Sequence, residues 1–316
     1  MEKKDLRIVF FGTPEFAVES LDALVSHGFN VVATVTMPDK VAGRGHKVIQ
    51  SDVKRYSDEH GLLCLQPPKL KNPEWLEQLR SLRADLFIVI AFRMLPEAVW
   101  AMPPLGTFNL HASLLPKYRG AAPINHAVMN GDTVTGVTTF FLQHEIDTGD
   151  IIEQRECAIL PEDNVGDVHD RLMHLGARMV LSTVEHILDG TVETRPQPVG
   201  EFTPAPKIFK ETCRIDWILP ARCIHDFVRG LSPYPAAWTV MTDGRDKPSD
   251  LKIFTTRLTG RKVNAGTLPG TVSKEEKTLL VAAGDEWLEI LELQPAGKRR
   301  MEAAAFLLGY DPVKMD

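Results

Sequence analysis

Apolar residues in the first half of the chain come in short unbroken runs, separated by stretches with helical spacing. LRIVFFG, VVATVT and ADLFIVIAF are too short for helices and are apolar at both alternating sets of positions, which predicts strands buried on both faces. TPEFAVESLDALVSHG predicts a helix with Thr13 as N-cap, Pro14 in the first turn and Gly28 as the stop. SDVKRYSDEHG predicts a second helix and LLCLQ a short strand. TFNLH follows as a strand and APINHAVMNG as a helix, then TVTGVTTFFL and DIIEQRECAIL as strands. VGDVHDRLMHLGARMVLSTVEHILDG is a long amphipathic helix that Gly190 closes. Strands alternating with helices predict an α/β domain with a largely parallel sheet covered on both faces. Sheets of that class bind ligands beyond the carboxyl ends of their strands.

The pattern changes after residue 190. Residues 191–207, TVETRPQPVGEFTPAPK, are proline-rich and read as an extended linker rather than packed structure. A helix, PARCIHDFVRGL, comes next, and then the short β-type runs AAWTVM, LKIFTT, GTVSK, TLLVAAG and WLEILEL predict a small barrel or sandwich. The expected organisation is therefore 1–190, a linker at 191–207, and a second domain at 208–316.

Charge adds an asymmetry. From Lys207 onward there are 17 basic and 15 acidic residues; before it there are 19 and 27. The second domain is thus the better platform for a polyanion. The 4 cysteines show no CxxC or metal-ligand spacing, which suits a reducing cytoplasm. The apolar run near the start stops at Gly12-Thr13-Pro14-Glu15, too early for a signal peptide, and no run approaches the roughly 20 residues of a membrane span. No coiled-coil or swapping signal is present, so a cytoplasmic monomer is expected.

Three stretches carry candidate chemistry. In NLHASLLPKYRG, Asn109 and His111 share one strand face and stand at its carboxyl end. That spacing suits a ligand site, and it equally suits two side chains that merely satisfy backbone groups at a strand end. In HEIDTGDII, Asp147 lies in a turn between β segments, with Gly149 available for a positive φ. Asp147 can serve as an Asx-turn residue or as the carboxylate that orients a histidine. One Asp-Thr-Gly is half of what an aspartic protease needs. The glycine-containing TMPDKVAGRGHKVIQ gathers Lys40, Arg44, His46 and Lys47, and reads either as a solvated loop or as a clamp on a phosphate backbone. No GxGxxG or Walker-type run follows a strand, which argues against dinucleotide and P-loop sites. The remaining histidines lack metal-ligand spacing, and no metal is implied.

NLHASLLPKYRGAAPINHAVMNGD, followed by HEIDTGDII, resembles the 10-formyltetrahydrofolate-dependent formyltransferase family. FFGTPEFAVESLDAL, PDKVAGRG, APKIFKETCRIDW and LQPAGKRRMEAAAFLLG extend the resemblance over nearly the whole chain, in order. It implies a Rossmann-like first domain and an OB-like barrel that contacts tRNA. It implies Asn109, His111 and Asp147 as the catalytic set, with Ser113, Leu114, Leu115 and Pro116 bordering the folate. The basic loop and the PAGKRRM segment point to the members that formylate initiator methionyl-tRNA, with Lys40, Arg44, Lys47, Lys298, Arg299 and Arg300 as candidate tRNA contacts. Two positions depart from the family pattern: Lys40-Val41 stand where Arg-Pro is usual, and Arg93 stands where Gly is usual.

The implied reaction passes a formyl group from 10-formyltetrahydrofolate to an amine. Asn109 and a protonated His111 would stabilise the oxygen that gains charge, and Asp147 would orient His111 and help relay the amine's proton. Other acceptors would be an amino sugar or a purine precursor. Water as acceptor would make the protein a hydrolase, and a non-catalytic folate- or tRNA-binding protein is the reading of a different class.

Overall fold

The computed structural model describes residues 2–42, 47–198, 200, 202–244 and 247–316. These divide into two compact units, one of 1–120, 136–157 and 169–204, the other of 121–135, 158–168 and 205–316.

The first unit is built on β1 (Arg7–Gly12), α1 (Glu15–Ser26), β2 (Asn30–Val35), β3 (Lys40–Ala42), β4 (Lys47–Ile49), α2 (Asp52–Glu59), β5 (Cys64–Leu65), α3 (Pro73–Ser81), β6 (Leu86–Ile90), α4 (Glu97–Trp100), β7 (Thr107–His111) and β8 (Arg119–Gly120). In the chain, α5 (Pro123–Met129), β9 (Val134–Phe141), β10 (Ile151–Ala158) and α6 (Val165–Asp189) follow. Seven strands form one sheet in the order β10-β9-β7-β6-β1-β2-β5. β1 pairs in parallel with β2 and β6, and β6 pairs in parallel with β7. β9 runs antiparallel to β7, so the sheet is parallel-rich and mixed. Because β2 and β6 lie on opposite sides of β1, the strand order reverses there, and the carboxyl ends of β1, β6 and β7 share one edge.

The apolar runs behave as their pattern predicts: Ile8, Val9, Phe10 and Phe11 are inaccessible, as are Leu86, Ile88 and Ile90. The helix after β1 begins one residue later than expected. Pro14 is its N-cap, and Thr13 instead offers its carbonyl to the Val53 amide at 3.3 Å. Gly28 follows the helix at φ +76°, the left-handed stop that its sequence position suggested. The basic loop is not wholly irregular: its two ends pair antiparallel as β3 and β4, with Lys40 opposite Ile49. Its base is tied by Thr36 Oγ1 to Ser51 Oγ at 2.7 Å, and Ser51 also caps α2 by accepting the Lys54 amide.

The second unit contains β11 (Pro204–Ala205) only in part, then α7 (Ala221–Leu231), β12 (Ala237–Asp243), β13 (Pro248–Lys262), β14 (Val272–Glu275), β15 (Thr278–Ala282), β16 (Glu286–Pro295), β17 (Met301–Glu302), α8 (Ala303–Phe306) and β18 (Pro312–Met315). Its sheet runs β14-β15-β16-β13-β12-β18, antiparallel at every described pairing. A bridge between Thr271 and Lys314 joins the two ends, so the sheet is a nearly closed barrel. α7 supplies Ile224, Val228 and Leu231 to its core, and Trp217 is held there by Nε1–H donating to Thr239 Oγ1 at 3.0 Å. α5 belongs to this unit, with Asn125 Nδ2 donating to the Gly230 carbonyl at 2.8 Å.

Candidate active site

β7 carries two polar side chains where the buried pattern of its neighbours would favour apolar ones. Leu110 faces α6, since a Cβ at Gly176 would stand 2.7 Å from its Cδ2. Alternation sends Asn109 and His111 to the opposite face. Asn109 is half-buried, and its side chain makes no hydrogen bond with a described residue. An amide donor with no internal partner at the carboxyl edge of a sheet is free to serve a ligand.

His111 is 7% exposed, and its Nε2 lies 2.8 Å from the Tyr118 carbonyl oxygen. A carbonyl cannot donate, so Nε2 carries the proton and Nδ1 is the nitrogen left for chemistry. Tyr118 is itself fixed: its backbone stands at φ +59°, and its amide donates to the Thr203 carbonyl at 2.6 Å.

Asp147 sits half-buried in the turn between β9 and β10 at φ +54°, a left-handed conformation that Asp tolerates better than most residues. Its Oδ2 accepts the Gly120 amide at 3.0 Å. The expected partnership in which Asp147 orients His111 takes another form here. The ring is fixed by the Tyr118 carbonyl, the carboxylate is engaged by Gly120, and no hydrogen bond or ion pair links the two side chains. Segment 118–120 therefore stands between them and holds both. Gly149 is not needed for a positive φ. It is needed because a Cβ there would fall 1.6 Å from the Phe141 carbonyl oxygen.

The turn Ser113–Pro116 is rigidly tied. Thr138 Oγ1 donates to the Ser113 carbonyl at 2.6 Å and accepts the Leu115 amide at 3.2 Å, while Gln154 Nε2 donates to the Leu115 carbonyl at 2.9 Å. The peptide bond between Leu115 and Pro116 is cis. Ser113 and Leu115 are buried, and the Ser113 hydroxyl donates to the Lys117 carbonyl at 2.6 Å. Half-buried Leu114 and Pro116 are thus the members of the turn with surface to offer. Arg93 turns back onto its own unit, donating to the carbonyls of Pro67 and Pro68, and burial pulls its pKa below the ordinary guanidinium value.

Among the candidate tRNA contacts, Lys40 is exposed, whereas Arg44 and the side chain of Lys47 lie outside the described residues. Lys298 and Arg299 are exposed and form no ion pair with a described residue. Arg300 is already engaged, paired with Glu292 and stacked 4.4 Å from the Phe254 ring centroid. The pairing with Arg300 holds Glu292 below the usual carboxylate range.

The sequence reading missed Gln197. It is 8% exposed and lies in the stretch expected to be an unpacked linker. The stretch is packed in part, because the Arg195 and Ile151 backbones exchange hydrogen bonds at 2.8 and 2.9 Å. A glutamine between two prolines carries no sequence signal of burial. Among the described residues, no group of three or more His, Cys, Asp or Glu could hold a metal ion, and no helix is long and apolar enough to cross a membrane.

Comparison with known proteins bears on this geometry. The family model described as formyl transferase matches residues 6–184, and that of the formyl transferase C-terminal domain matches 207–311. The methionyl-tRNA formyltransferase of Bacteroides fragilis is 55% identical over 316 residues, covering 98% of this chain and 97% of that protein. That of Parabacteroides distasonis is 56% identical over 320 residues, covering 99% and 98%. Among solved structures, an N-formyltransferase from Helicobacter canadensis, in complex with folinic acid and dTDP-3-aminofucose, aligns with TM-score 0.66 at 19% identity, covering 93% of this chain and 100% of that one. HypX from Aquifex aeolicus, in complex with tetrahydrofolic acid, aligns with TM-score 0.63 at 17% identity, covering 95% of this chain and 46% of that one. At those identities the two structures speak to the fold alone.

Proposed function

This chain belongs to the formyl transferase family, and we propose that it transfers the formyl group of 10-formyltetrahydrofolate to the α-amino group of methionyl-tRNA, yielding the formylmethionyl-tRNA used in translation initiation. The observation that carries this reading is the end-to-end match, at 55% identity, to a methionyl-tRNA formyltransferase. The solved sugar N-formyltransferases that would favour an amino-sugar acceptor lie below 25% identity, the Helicobacter canadensis enzyme at 19% and the Mycobacterium tuberculosis protein at 23%.

The donor set suits a formyl group. As the amine of methionyl-tRNA adds to the formyl carbon, negative charge builds on the formyl oxygen. Asn109 offers an uncommitted amide N–H to that oxygen, and the imidazolium form of His111 would add Nδ1–H. Asp147 has one oxygen engaged by Gly120 and the other available to take the amine's proton and pass it to N10 as the N10–formyl bond breaks and tetrahydrofolate leaves. Transfer needs no covalent enzyme intermediate, so neither Ser nor Cys is required as a nucleophile. Leu114 and Pro116 border the folate, and the exposed cations Lys40, Lys298 and Arg299 contact phosphates, with Arg44 and Lys47 assigned to the same task from the sequence. Arg300, held by Glu292 and Phe254, contributes less.

The test is a competition. The protein is incubated with labelled 10-formyltetrahydrofolate together with methionyl-tRNA, an amino-sugar nucleotide and a purine-precursor amine. Label in methionyl-tRNA is expected; label confined to another acceptor, or released as formate, would overturn the reading.

A further inference from the structure

We infer that Gln197 is a positioning residue for the reaction, holding Asp147 in place from outside the substrate site. This rests on the reading of Asp147 as the reacting carboxylate. The side-chain amide of Gln197 is fully used. Its Oε1 accepts from Arg119 Nη2 at 2.6 Å and Nε at 3.2 Å, and its Nε2 donates to the carbonyls of Asp147 at 2.8 Å and Gly149 at 3.0 Å. Only this orientation works, because the flipped amide would set its NH2 against a guanidinium and its oxygen against two carbonyls.

The bonds close a ring. Gln197 grips the backbone of the Asp147 turn and also Arg119, whose neighbour Gly120 donates to the Asp147 carboxylate. Gln197 therefore fixes both the backbone that carries the carboxylate and the segment that hydrogen-bonds its tip. Asp147 needs such bracing, since φ +54° is a conformation that persists only where its surroundings enforce it. Six residues along, the same stretch holds the other group. The Thr203 carbonyl accepts the Tyr118 amide, and the Tyr118 carbonyl fixes His111. Gln197 is buried, so it acts through Asp147 and not on substrate.

Two variants separate the contacts. Gln197→Met keeps the length and removes all four hydrogen bonds. Gln197→Glu keeps an acceptor for Arg119 and removes both donations, so it stays informative if the methionine variant folds poorly. Each is measured for kcat, KM for methionyl-tRNA and Tm, alone and combined with Asp147→Asn. The expected result is a fall in kcat of about 10- to 100-fold, from a displaced reacting group, with KM unchanged. In the Asp147→Asn background the Gln197 substitution should add almost nothing, because both act through one group. Losses that multiply in the double variants, or single variants with wild-type kcat, would overturn the inference while leaving the role of Asp147 standing. Wild-type kcat in Asp147→Asn alone would overturn the reading of Asp147, and this inference with it.

Discussion

The imidazole of His111 donates through Nε2 to the Tyr118 carbonyl 2.8 Å away, which leaves Nδ1 as the nitrogen that can act on substrate. The tautomer is therefore set by the fold, before any substrate arrives. Nitrogen-15 NMR of the neutral ring should show the Nε2-protonated form. His111→Ala should lower turnover by about 10²- to 10³-fold, the range for losing one donor to the developing oxyanion. A neutral ring protonated at Nδ1 instead would contradict the geometry.

Gly149 is the tightest point of the turn that carries Asp147. Gly149→Ala would bring a methyl carbon to 1.6 Å from the Phe141 carbonyl oxygen, so the turn must open. We expect a stability loss of ~1–3 kcal/mol or more together with a fall in kcat. The checks are thermal melting and turnover on the same sample; unchanged values for both would show that the turn is looser than described.

Lys298 and Arg299 are exposed and unpaired among the described residues, while Arg300 is held by Glu292 and Phe254. The double variant Lys298→Ala, Arg299→Ala should bind methionyl-tRNA more weakly and reduce the salt slope by about two phosphate contacts. Arg300→Ala should change the slope less. Equal slopes for all three proteins would count against this surface as a phosphate contact.

His225 gives the barrel unit a pH dependence. It is 7% exposed, its Nδ1 is paired with Thr256 Oγ1 at 2.9 Å, and burial, with Arg229 and Arg222 nearby, lowers its pKa despite Asp226 and Glu162. The unfolded chain thus binds a proton that the folded one refuses. The stabilisation is complete above the ordinary value of 6.5 and is lost as pH falls from there toward the lower folded value. Melting temperature should drop between pH 7 and 5, and His225→Gln should flatten that part of the profile.

Much of this was legible in the sequence, for identifiable reasons. β1 and β6 are buried on both faces, so their continuous apolar runs have no other reading. Asn109 and His111 could be put on one face because strand alternation is strict. What escaped notice depended on contacts distant in sequence. α3 is the exception, since Trp75, Leu76 and Leu79 stand at helical spacing behind an Asn72-Pro73 start. The local sequence suggests a conformational role for Gly149, but its role is set by Phe141, which no local pattern names. Gln197 lies 50 residues from Asp147, and a proline-flanked glutamine looks the same in solvent as in a buried brace.

The central claim is that Asn109, whose side chain makes no hydrogen bond with a described residue, stabilises the charge that develops during formyl transfer to methionyl-tRNA. It is tested most directly by single-turnover rapid quench with saturating 10-formyltetrahydrofolate, comparing the wild-type protein with Asn109→Ala and measuring methionyl-tRNA affinity on the same preparations. The account predicts transfer slowed by ~10²- to 10³-fold at unchanged affinity. Transfer at the wild-type rate, or a loss that appears entirely as weaker binding, would contradict it.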